Sequence, residues 1–432
     1  MSFVIPLNEL HKEDTPTVGG KNAMLGELMM MTKHLSQQII IPPGFAITTA
    51  AFEQWLGWSK LTDERITNTL QTIGRDIPRI QEAANMIYNH MKVIQMPKLD
   101  IYKELDKSKL YAVRSSGIDE DGDASSFAGQ HDSFLNVPAN EVTGRVKDVW
   151  LSSYNHRALY YRSVKGILDK PIRQGVVIQE MVPNLKWAGV AFSADPRTGR
   201  TDMGLIEYID GLGEDLVSGK KTPILVPFDH NKEIFPATWV NPLVFPLVKT
   251  TIELFQALGY PVDIEWAWNG CLNLLQARPI TNLLTPLSDD QVKKLATSND
   301  KLGTAILVGT GLAPGSVKAL GFISRKQAIA MLEHGEYNGR YMDLSKRILL
   351  VPFTTPDDLP IMEKVAGIVV SKGGHTSHAA IVCRELGKPC LRVTALKEAG
   401  HAYNGVTKKP MLMNADVGAI YRLTSEYEVD ME

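Results

Sequence analysis

The segment 262–280 restricts the fold more than any other part of the sequence. It reads VDIEWAWNGCLNLLQARPI, with an apolar run on either side of Asn269-Gly270. An Asn-Gly pair between two such runs is a strong short-range signal for a tight β-hairpin. The pattern therefore predicts two antiparallel strands that meet at this turn.

The predicted hairpin carries polar side chains on both of its strands. Asp263 and Glu265 alternate along the first strand and so share a face, and Gln276 and Arg278 do the same on the second. Carboxylate and amide oxygens suit Mg²⁺, and a guanidinium fork suits phosphate. The four residues could form a platform for phosphate and magnesium, or they could be the solvated face of an ordinary strand.

The composition is that of an ordinary globular protein with two or three domains. The chain has 432 residues, of which 44% are hydrophobic and 22% are charged, and its formal net charge is −2. This balance gives no general attraction to nucleic acid or to acidic membranes. The first residues lack the features of a signal peptide, and no apolar run has the length of a membrane helix. We expect a cytoplasmic protein with no nucleic-acid or membrane partner.

The three cysteines do not have the spacing of a metal site. Cys271, Cys383 and Cys390 form no CxxC pair, and three cysteines are too few for a disulfide framework in a chain of this length. We expect them to be buried, reduced thiols.

Two further cations lie where a phosphate ligand would need them. Lys21 follows two glycines at the entrance of a helix predicted over 19–35, and Arg114 precedes two serines and a loop rich in Gly, Asp and Ser. The sequence GxxxxGK[ST] does not occur, so a P-loop is excluded. From the residues alone, an ATP site and a set of unrelated surface charges both remain open.

A second chemical motif lies near the end of the chain. Residues 373–387 read GGHTSHAAIVCRELG, which predicts a Gly-rich turn and a helix that begins near His378 and ends at Gly387. The positive end of a helix favours an anion, and a neutral imidazole can attack phosphorus. His378 could therefore carry a phosphoryl group, or it could be a histidine held by local hydrogen bonds near the cap. Strand-like and helix-like runs alternate from 347 onward, which is typical of a small α/β domain.

Several segments, in order, resemble the nucleotide-binding region of the phosphoenolpyruvate synthase and pyruvate phosphate dikinase family. They cover about residues 1–282 and include GGKNAMLGEL, PPGFAITTAAF, AVRSSGIDEDGDASSFAGQHDSFLNV, VVIQEMV, GVAFSADPRTG, GLGEDLVSG and DIEWAWNGCLNLLQARPI. The resemblance implies an ATP-grasp fold with two lobes, at about 1–170 and 171–282, that binds ATP and Mg²⁺.

The resemblance also implies roles for individual residues. Lys21 and Arg114 would contact the phosphates of ATP, and Arg278 the terminal phosphates. Glu265 and Gln276 would hold Mg²⁺.

Other residues would surround the nucleotide. Asp263 would lie near the metal, and the loop 115–130 would close over the triphosphate. The adenine pocket would be lined by four consecutive residues, Gln179, Glu180, Met181 and Val182.

Residues 346–423 resemble the phosphohistidine domain of the same family. The matching signature is Gly-Gly, then Thr-Ser-His-Ala-Ala, then Arg-Glu-Leu-Gly, and it aligns His378 with the phosphorylated histidine. The resemblance implies that this domain swivels between the ATP site and an acceptor site. It also implies that His378 attacks the β-phosphorus of ATP, which releases AMP, and that orthophosphate then leaves.

The sequence departs from this family in its acceptor region. Family members carry a C-terminal barrel that binds pyruvate or phosphoenolpyruvate, whereas 54 residues (379–432) follow His378 and a barrel needs about 250. Rifampicin phosphotransferase has the same two modules with an antibiotic-binding domain between them, for which residues 282–345 are too few. We therefore expect a missing or reduced acceptor site.

Four functions follow from these observations. The chain could transfer phosphate to a small-molecule acceptor, it could be one subunit of a split phosphotransferase, or it could be an ATP-driven ligase of natural-product biosynthesis. It could also be a non-catalytic, ATP-binding regulatory module, which the joint presence of the cations, the carboxylates and His378 disfavours.

These features together predict a multidomain protein of the α+β and α/β classes. We expect a two-lobed ATP-grasp domain over 1–282, a connecting segment over 283–345, and a swivelling α/β phosphohistidine domain over 346–432.

Overall fold

A computed structural model gives the architecture. It describes residues 2–60, 63–118, 131–167, 170–196, 198–231, 243–280, 283, 305–394, 411–416 and 418–422. The chain divides by its contacts into two compact units. Unit 1 consists of Met1–Ser193 and Ile234–Thr281, and unit 2 consists of Ala194–Glu233 and Asn282–Glu432.

Helices and strands are numbered along the chain. The helices are α1 Thr15–Val18, α2 Gly20–Met31, α3 Thr49–Trp58, α4 Asp63–Ile73, α5 Ile77–Met91, α6 Val142–Ser152, α7 His156–Val164, α8 Glu214–Val217, α9 Val244–Leu258, α10 Arg325–His334, α11 Leu359–Lys364 and α12 His378–Leu386. The strands are β1 Val4–Pro6, β2 Ile39–Ile40, β3 Gly44–Ile47, β4 Leu110–Gly117, β5 Ser133–Pro138, β6 Gln174–Glu180, β7 Trp187–Phe192, β8 Met203–Asp210, β9 Ile224–Asp229, β10 Val262–Trp268, β11 Leu272–Pro279, β12 Ala305–Val308, β13 Thr310–Ala313, β14 Ser316–Ala319, β15 Phe322–Ile323, β16 Ile348–Val351, β17 Gly367–Val370, β18 Cys390–Arg392, β19 Met411–Asn414 and β20 Ala419–Arg422.

Unit 1 contains two groups of strands. One sheet has the order β1-β3-β6-β4-β5 and is antiparallel throughout. In the other group, β10 pairs antiparallel with both β7 and β11, and β11 pairs parallel with β2. The strands β10 and β11 confirm the predicted hairpin, with Asp263 opposite Arg278 and Glu265 opposite Gln276.

The core of unit 1 includes a group of aromatic side chains. Phe52 of α3 packs against Trp55, against Trp150 of α6 and against Tyr154, and Trp55 also packs against Trp150. All four side chains are fully buried. Aromatic side chains bury large apolar areas, so this cluster anchors α3 and α6 to each other.

Unit 2 contains the antiparallel pair of β8 and β9 and two further sheets. The first of these has the order β12-β20-β19-β14 and is antiparallel. The second has the order β13-β18-β17-β16-β15, in which β15 to β18 pair in parallel and β13 is antiparallel. Parallel strands joined by helices are typical of an α/β domain, as the sequence predicted for this region. The helix α12 begins at His378 and ends before Gly387, which adopts the left-handed conformation.

The prediction of a connecting segment over 283–345 was wrong for residues 305–334. These residues form β12 to β15 and α10, and the four strands pair with strands from the C-terminal residues. The strands are two to four residues long and only partly buried, so each is too short for its pattern to be recognised in the sequence.

Three smaller expectations also need comment. Ser115 and Ser116 belong to β4 rather than to a loop, and Cys271 is exposed at the hairpin turn, whereas Cys383 and Cys390 are buried. Most of the predicted loop 115–130, and residues 284–304 of the predicted connecting segment, lie outside the described residues.

Within the ranges described above, no helix combines the length and the apolar character that crossing a membrane requires.

Two helical glycines give a matched test of the packing. A β-carbon at Gly26 of α2 would lie 2.2 Å from the Leu10 carbonyl oxygen, whereas a β-carbon at Gly144 of α6 has no neighbour within 4 Å. We predict that Gly26→Ala lowers the free energy of unfolding by about 1–3 kcal/mol, because the backbone at Leu10 must move. Gly144→Ala should raise it by up to about 1 kcal/mol, because alanine favours the helix. Thermal unfolding of both variants tests this, and equal effects would contradict the described packing of α2.

Candidate active site

The start of α2 is fixed by its contacts with two strands. Gly19 adopts φ +81°, and a β-carbon there would lie 1.8 Å from the Ser116 carbonyl oxygen. The Asn22 backbone N–H donates to Ser116 Oγ at 3.2 Å, and its side-chain amide donates to the Val176 carbonyl at 3.2 Å. Lys21, in the first turn of α2, is therefore held beside β4 and β6 by its neighbours.

The guanidinium of Arg114, in the middle of β4, bridges the two groups of strands in unit 1. It donates to Glu265 Oε2 of β10, to Gln179 Oε1 of β6 and to the Leu275 carbonyl of β11, each at 3.0 Å. The Arg114 side chain is 13% exposed and that of Glu265 is 32% exposed. The ion pair is therefore shielded from water on the cation's side and open on the carboxylate's side.

The hairpin holds a second ion pair next to the first. Arg278 Nε and one terminal nitrogen donate to Asp263 Oδ2 at 3.0 and 2.9 Å. Asp263 is buried, and Arg278 is partly open to solvent. The carboxylate thus orients the guanidinium, which stays partly exposed.

The pair of Glu265 and Gln276 suits a magnesium ion. The two residues face each other across β10 and β11. Gln276 is buried, and its Oε1 accepts no hydrogen bond from the part of the chain that the structure describes. A buried oxygen without a donor is destabilising unless a ligand occupies it, and Mg²⁺ prefers oxygen ligands. In the same described residues, no three His, Cys, Asp or Glu side chains cluster as a metal site would require. Any metal here would therefore need ligands from a bound substrate as well.

The four residues predicted to line an adenine pocket do not all face the same way. The Gln179 side chain joins Arg114 and also donates to the Pro42 carbonyl at 3.2 Å. The Glu180 side chain lies 3.6 Å from Lys109 Nζ and lines a different cavity of about 500 Å³, on the opposite face of the sheet. Met181 and Val182 follow the end of β6. The prediction from the sequence did not distinguish the face of the sheet that carries the Gln179 side chain from the face that carries the Glu180 side chain.

His378 is the first residue of α12 and is buried. Its Nδ1 lies 2.8 Å from the hydroxyl of Thr354, which is also buried. Thr354 is held by the turn that follows it, because the Asp358 carboxylate accepts from the Thr355 backbone N–H at 2.7 Å and from Arg325 at 2.6 and 2.8 Å. One imidazole nitrogen is therefore fixed by a supported hydrogen bond.

The turn before His378 is fastened to β8. Glu207 Oε1 accepts from the backbone N–H and lies 2.7 Å from Nδ1 of His375, and Oε2 accepts from the backbone and the hydroxyl of Thr376. Burial alone would raise the pKa of the Glu207 carboxyl, but the hydrogen bonds and charge of His375, with the Thr376 hydroxyl, hold that pKa below its usual range.

Several polar groups near His378 have structural partners. The Thr376 hydroxyl donates to Glu207, and the Ser377 hydroxyl donates to the Gly374 carbonyl at 2.7 Å. Arg384 donates to the carbonyls of Leu312 and His375. In this arrangement, both hydroxyls therefore donate to protein acceptors.

Sequence reasoning missed Thr354 and Glu207. They lie 24 and 168 residues from their partners along the chain. No local pattern marks either residue, so only the tertiary structure brings them to the histidine turn.

Two buried glutamines give opposite predictions for stability. Gln276→Met removes an acceptor that lacks a donor, so we expect the unfolding midpoint without ligand to stay the same or rise. Gln179→Met removes the partner of Arg114 and of the Pro42 carbonyl, and we expect a loss of about 1–3 kcal/mol. Calorimetry of the two variants compares these effects. An equal loss in both would mean that Gln276 Oε1 already has a partner.

Two protein families match parts of this chain. Residues 15–235 match the family described as pyruvate phosphate dikinase, AMP/ATP-binding domain, and residues 344–407 match the family described as PEP-utilising enzyme, mobile domain. The first match spans just over half of the chain and contains Lys21, Arg114 and Gln179. The second contains Thr354 and His378.

Full-length relatives are similar along most of this chain. A probable phosphoenolpyruvate synthase of Archaeoglobus fulgidus is 32% identical over 90% of this chain and 54% of that protein. The phosphoenolpyruvate synthases of Pyrococcus furiosus and Escherichia coli are 31% and 30% identical, over 92% and 99% of this chain and 56% and 58% of those proteins. The chain thus spans between half and two thirds of the length of these relatives. It belongs to the pyruvate phosphate dikinase AMP/ATP-binding domain family.

Proposed function

We propose that this chain is an ATP-dependent phosphotransferase of the dikinase type and that His378 carries the phosphoryl group. The observation that carries the proposal is the placement of His378 at the first position of α12, within the match to the mobile domain. The helix N-terminus favours the anionic phosphohistidine.

The contact with Thr354 supports Nε2 as the nitrogen that attacks. Nδ1 lies 2.8 Å from the Thr354 hydroxyl. If Nδ1 carries the proton and donates it to that hydroxyl, Nε2 holds the lone pair that a nucleophile needs. Thr354 would therefore set the reactive tautomer of the neutral imidazole.

We assign the residues of unit 1 to ATP binding. Lys21, Arg114 and Arg278 would neutralise the phosphates, and their present contacts orient the two arginines before ATP arrives. Glu265 and Gln276 would hold Mg²⁺, which supplies further neutralisation of phosphate charge.

The adenine pocket would lie beside Gln179, Met181 and Val182. Glu180 would contribute through its backbone, since its side chain lies on the other face of the sheet near Lys109. The position of Asp263 against Arg278 supports an indirect role in which it holds that arginine.

The resemblance to the dikinase family implies the following reaction. Nε2 of His378 forms a bond to the β-phosphorus of ATP as the bond from that phosphorus to the α–β bridging oxygen breaks, and the electron pair leaves on AMP. The pyrophosphoryl group then loses orthophosphate to water, which leaves a phosphohistidine. No other side chain forms a covalent bond in this scheme. Positioning of the reactants and neutralisation of the phosphate charge would therefore account for the acceleration of the transfer.

The domain organisation remains part of the proposal. We propose a two-lobed ATP-grasp domain over about 1–282 and a phosphohistidine carrier that swivels to an acceptor site. The carrier would begin near residue 305 rather than 346, because β12 to β15 belong to its sheets.

The acceptor is proposed to be a small molecule. Relatives are named for phosphoenolpyruvate, so pyruvate is the first acceptor to test. A partner subunit that supplies the acceptor site, and a ligase that uses the phosphorylated intermediate, are the alternatives. A cytoplasmic location also remains our prediction.

We predict that the protein forms an acid-labile adduct of one or two phosphoryl units on incubation with Mg²⁺-ATP alone, with AMP as a product. Intact mass at neutral to alkaline pH and separation of the nucleotides measure both. His378→Ala should abolish the adduct. His334→Ala, which changes an exposed histidine of the same unit, should leave the adduct unchanged.

Absence of both the adduct and AMP would contradict the proposal. A protein that binds Mg²⁺-ATP but gives neither adduct nor AMP, with and without pyruvate, would exclude the carrier function. The chain would then be an ATP-binding module.

A further inference from the structure

We infer that Glu207 is a positioning residue for the proposed phosphohistidine, and that a proton on His375 controls how firmly Glu207 holds the turn that presents His378. The inference rests on the proposed function of His378, which it extends by naming a control of the same site.

Glu207 is placed to fix this turn. It is fully buried on β8, and its two oxygens have four contacts with His375 and Thr376, at 2.7 to 3.2 Å. Thr376 lies two residues before His378, so any loosening of these contacts moves the start of α12. Hydrogen bonds to an ionised carboxylate are stronger than neutral ones, which suits a residue that must orient a reactive group.

The contacts between Glu207 and the turn join two parts of the sequence that match different families. Glu207 lies within the match to the AMP/ATP-binding domain, and His375 lies within the match to the mobile domain, although both belong to unit 2. Glycines permit the close approach, because a β-carbon at Gly374 would lie 2.7 Å from Glu207 Oε2 and 2.6 Å from a carbon of Pro223. The carboxylate therefore sits directly against the Gly-Gly turn.

The ring of His375 faces an acceptor on each side. Nδ1 lies 2.7 Å from Glu207 Oε1, and Nε2 lies 3.2 Å from the Gly311 carbonyl oxygen. Neither oxygen can donate a hydrogen bond, so both contacts are hydrogen bonds only when both ring nitrogens carry a proton. We therefore assign the doubly protonated, cationic form to this ring, because a neutral tautomer would leave two lone pairs facing each other in one of the two contacts.

Other charged groups face this cluster from neighbouring elements. Arg384 of α12 donates to the His375 carbonyl at 2.7 Å, and Arg392 of β18 donates to the Gly373 carbonyl at 2.8 Å. Burial lowers the pKa of Arg392, and the charge of Glu207 opposes this shift only in part. The charge of Arg392 acts on Glu207 and favours the ionised carboxylate. Arg384 adds a second cation beside the His375 backbone.

At low pH, the contacts of Glu207 with the turn weaken because its carboxylate becomes protonated. Its pKa in the folded protein is below the unfolded value. Its contribution to stability is thus present above the usual carboxyl range of about pH 4 and is lost as the pH falls through the lower folded value.

Two measurements test the inference on the full chain. The first is the rate of adduct formation on His378 from Mg²⁺-ATP between pH 6 and 9. We expect Glu207→Gln to slow it by roughly tenfold or more, because the turn loses its charged acceptor. Asp210→Asn, the same change at an exposed position of β8, should not slow it. His375→Gln keeps a donor that cannot titrate, so the ratio of its rate to the wild-type rate should rise with pH.

The second measurement observes the proton directly. In protein labelled with ¹⁵N-histidine, the resonances that His375→Gln removes should show two protonated ring nitrogens at pH 7. Glu207→Gln should convert His375 to a neutral tautomer at that pH.

Two results would overturn the inference. One is a neutral His375 in the wild-type protein at pH 7. The other is a Glu207→Gln variant that forms the adduct at the wild-type rate with the wild-type pH profile. Absence of any adduct in the wild type would refute the proposed function instead, and the ¹⁵N spectrum would still decide whether Glu207 holds a charged His375.

Discussion

The guanidinium of Arg114 organises the polar face of unit 1. From its position on β4, it donates to groups on β6, β10 and β11. The backbone of β4 pairs with β5 and β6, so the side chain of Arg114 links this sheet to the hairpin of β10 and β11. Its partner Glu265 is the carboxylate that we propose as a magnesium ligand. Before ligands bind, the cation and the carboxylate neutralise each other. When Mg²⁺ and ATP bind, the carboxylate would pair with the metal and the guanidinium with phosphate, so the site exchanges partners without a net excess of buried charge.

In unit 2, the buried contacts orient one imidazole, that of His378. His378 is approached from two directions by residues that are far from it in sequence. Thr354 engages the ring itself, and Glu207 holds the turn from which the ring projects. Each of these residues is buried. A buried hydrogen bond restricts a side chain more than an exposed one, which suits the phosphoryl transfer that we propose for His378.

The sequence alone predicted the elements whose signals are local. The hairpin around Asn269-Gly270, the start of α12 at His378 and its end at Gly387 all follow from short-range turn and cap chemistry. The strands at 305–323 were missed because each is short and partly buried, and their stability comes from pairing with distant strands. The face of Glu180 and the roles of Thr354 and Glu207 depend on tertiary contacts, which no spacing along the chain encodes.

The most direct test of the account follows the β-phosphorus of ATP. The protein would be incubated with Mg²⁺ and ATP labelled at either the β- or the γ-phosphorus, and digested without acid. We predict that label from the β position remains on the peptide that contains His378, whereas label from the γ position is released as orthophosphate. Label on another residue, or retention of the γ-phosphorus alone, would contradict the account.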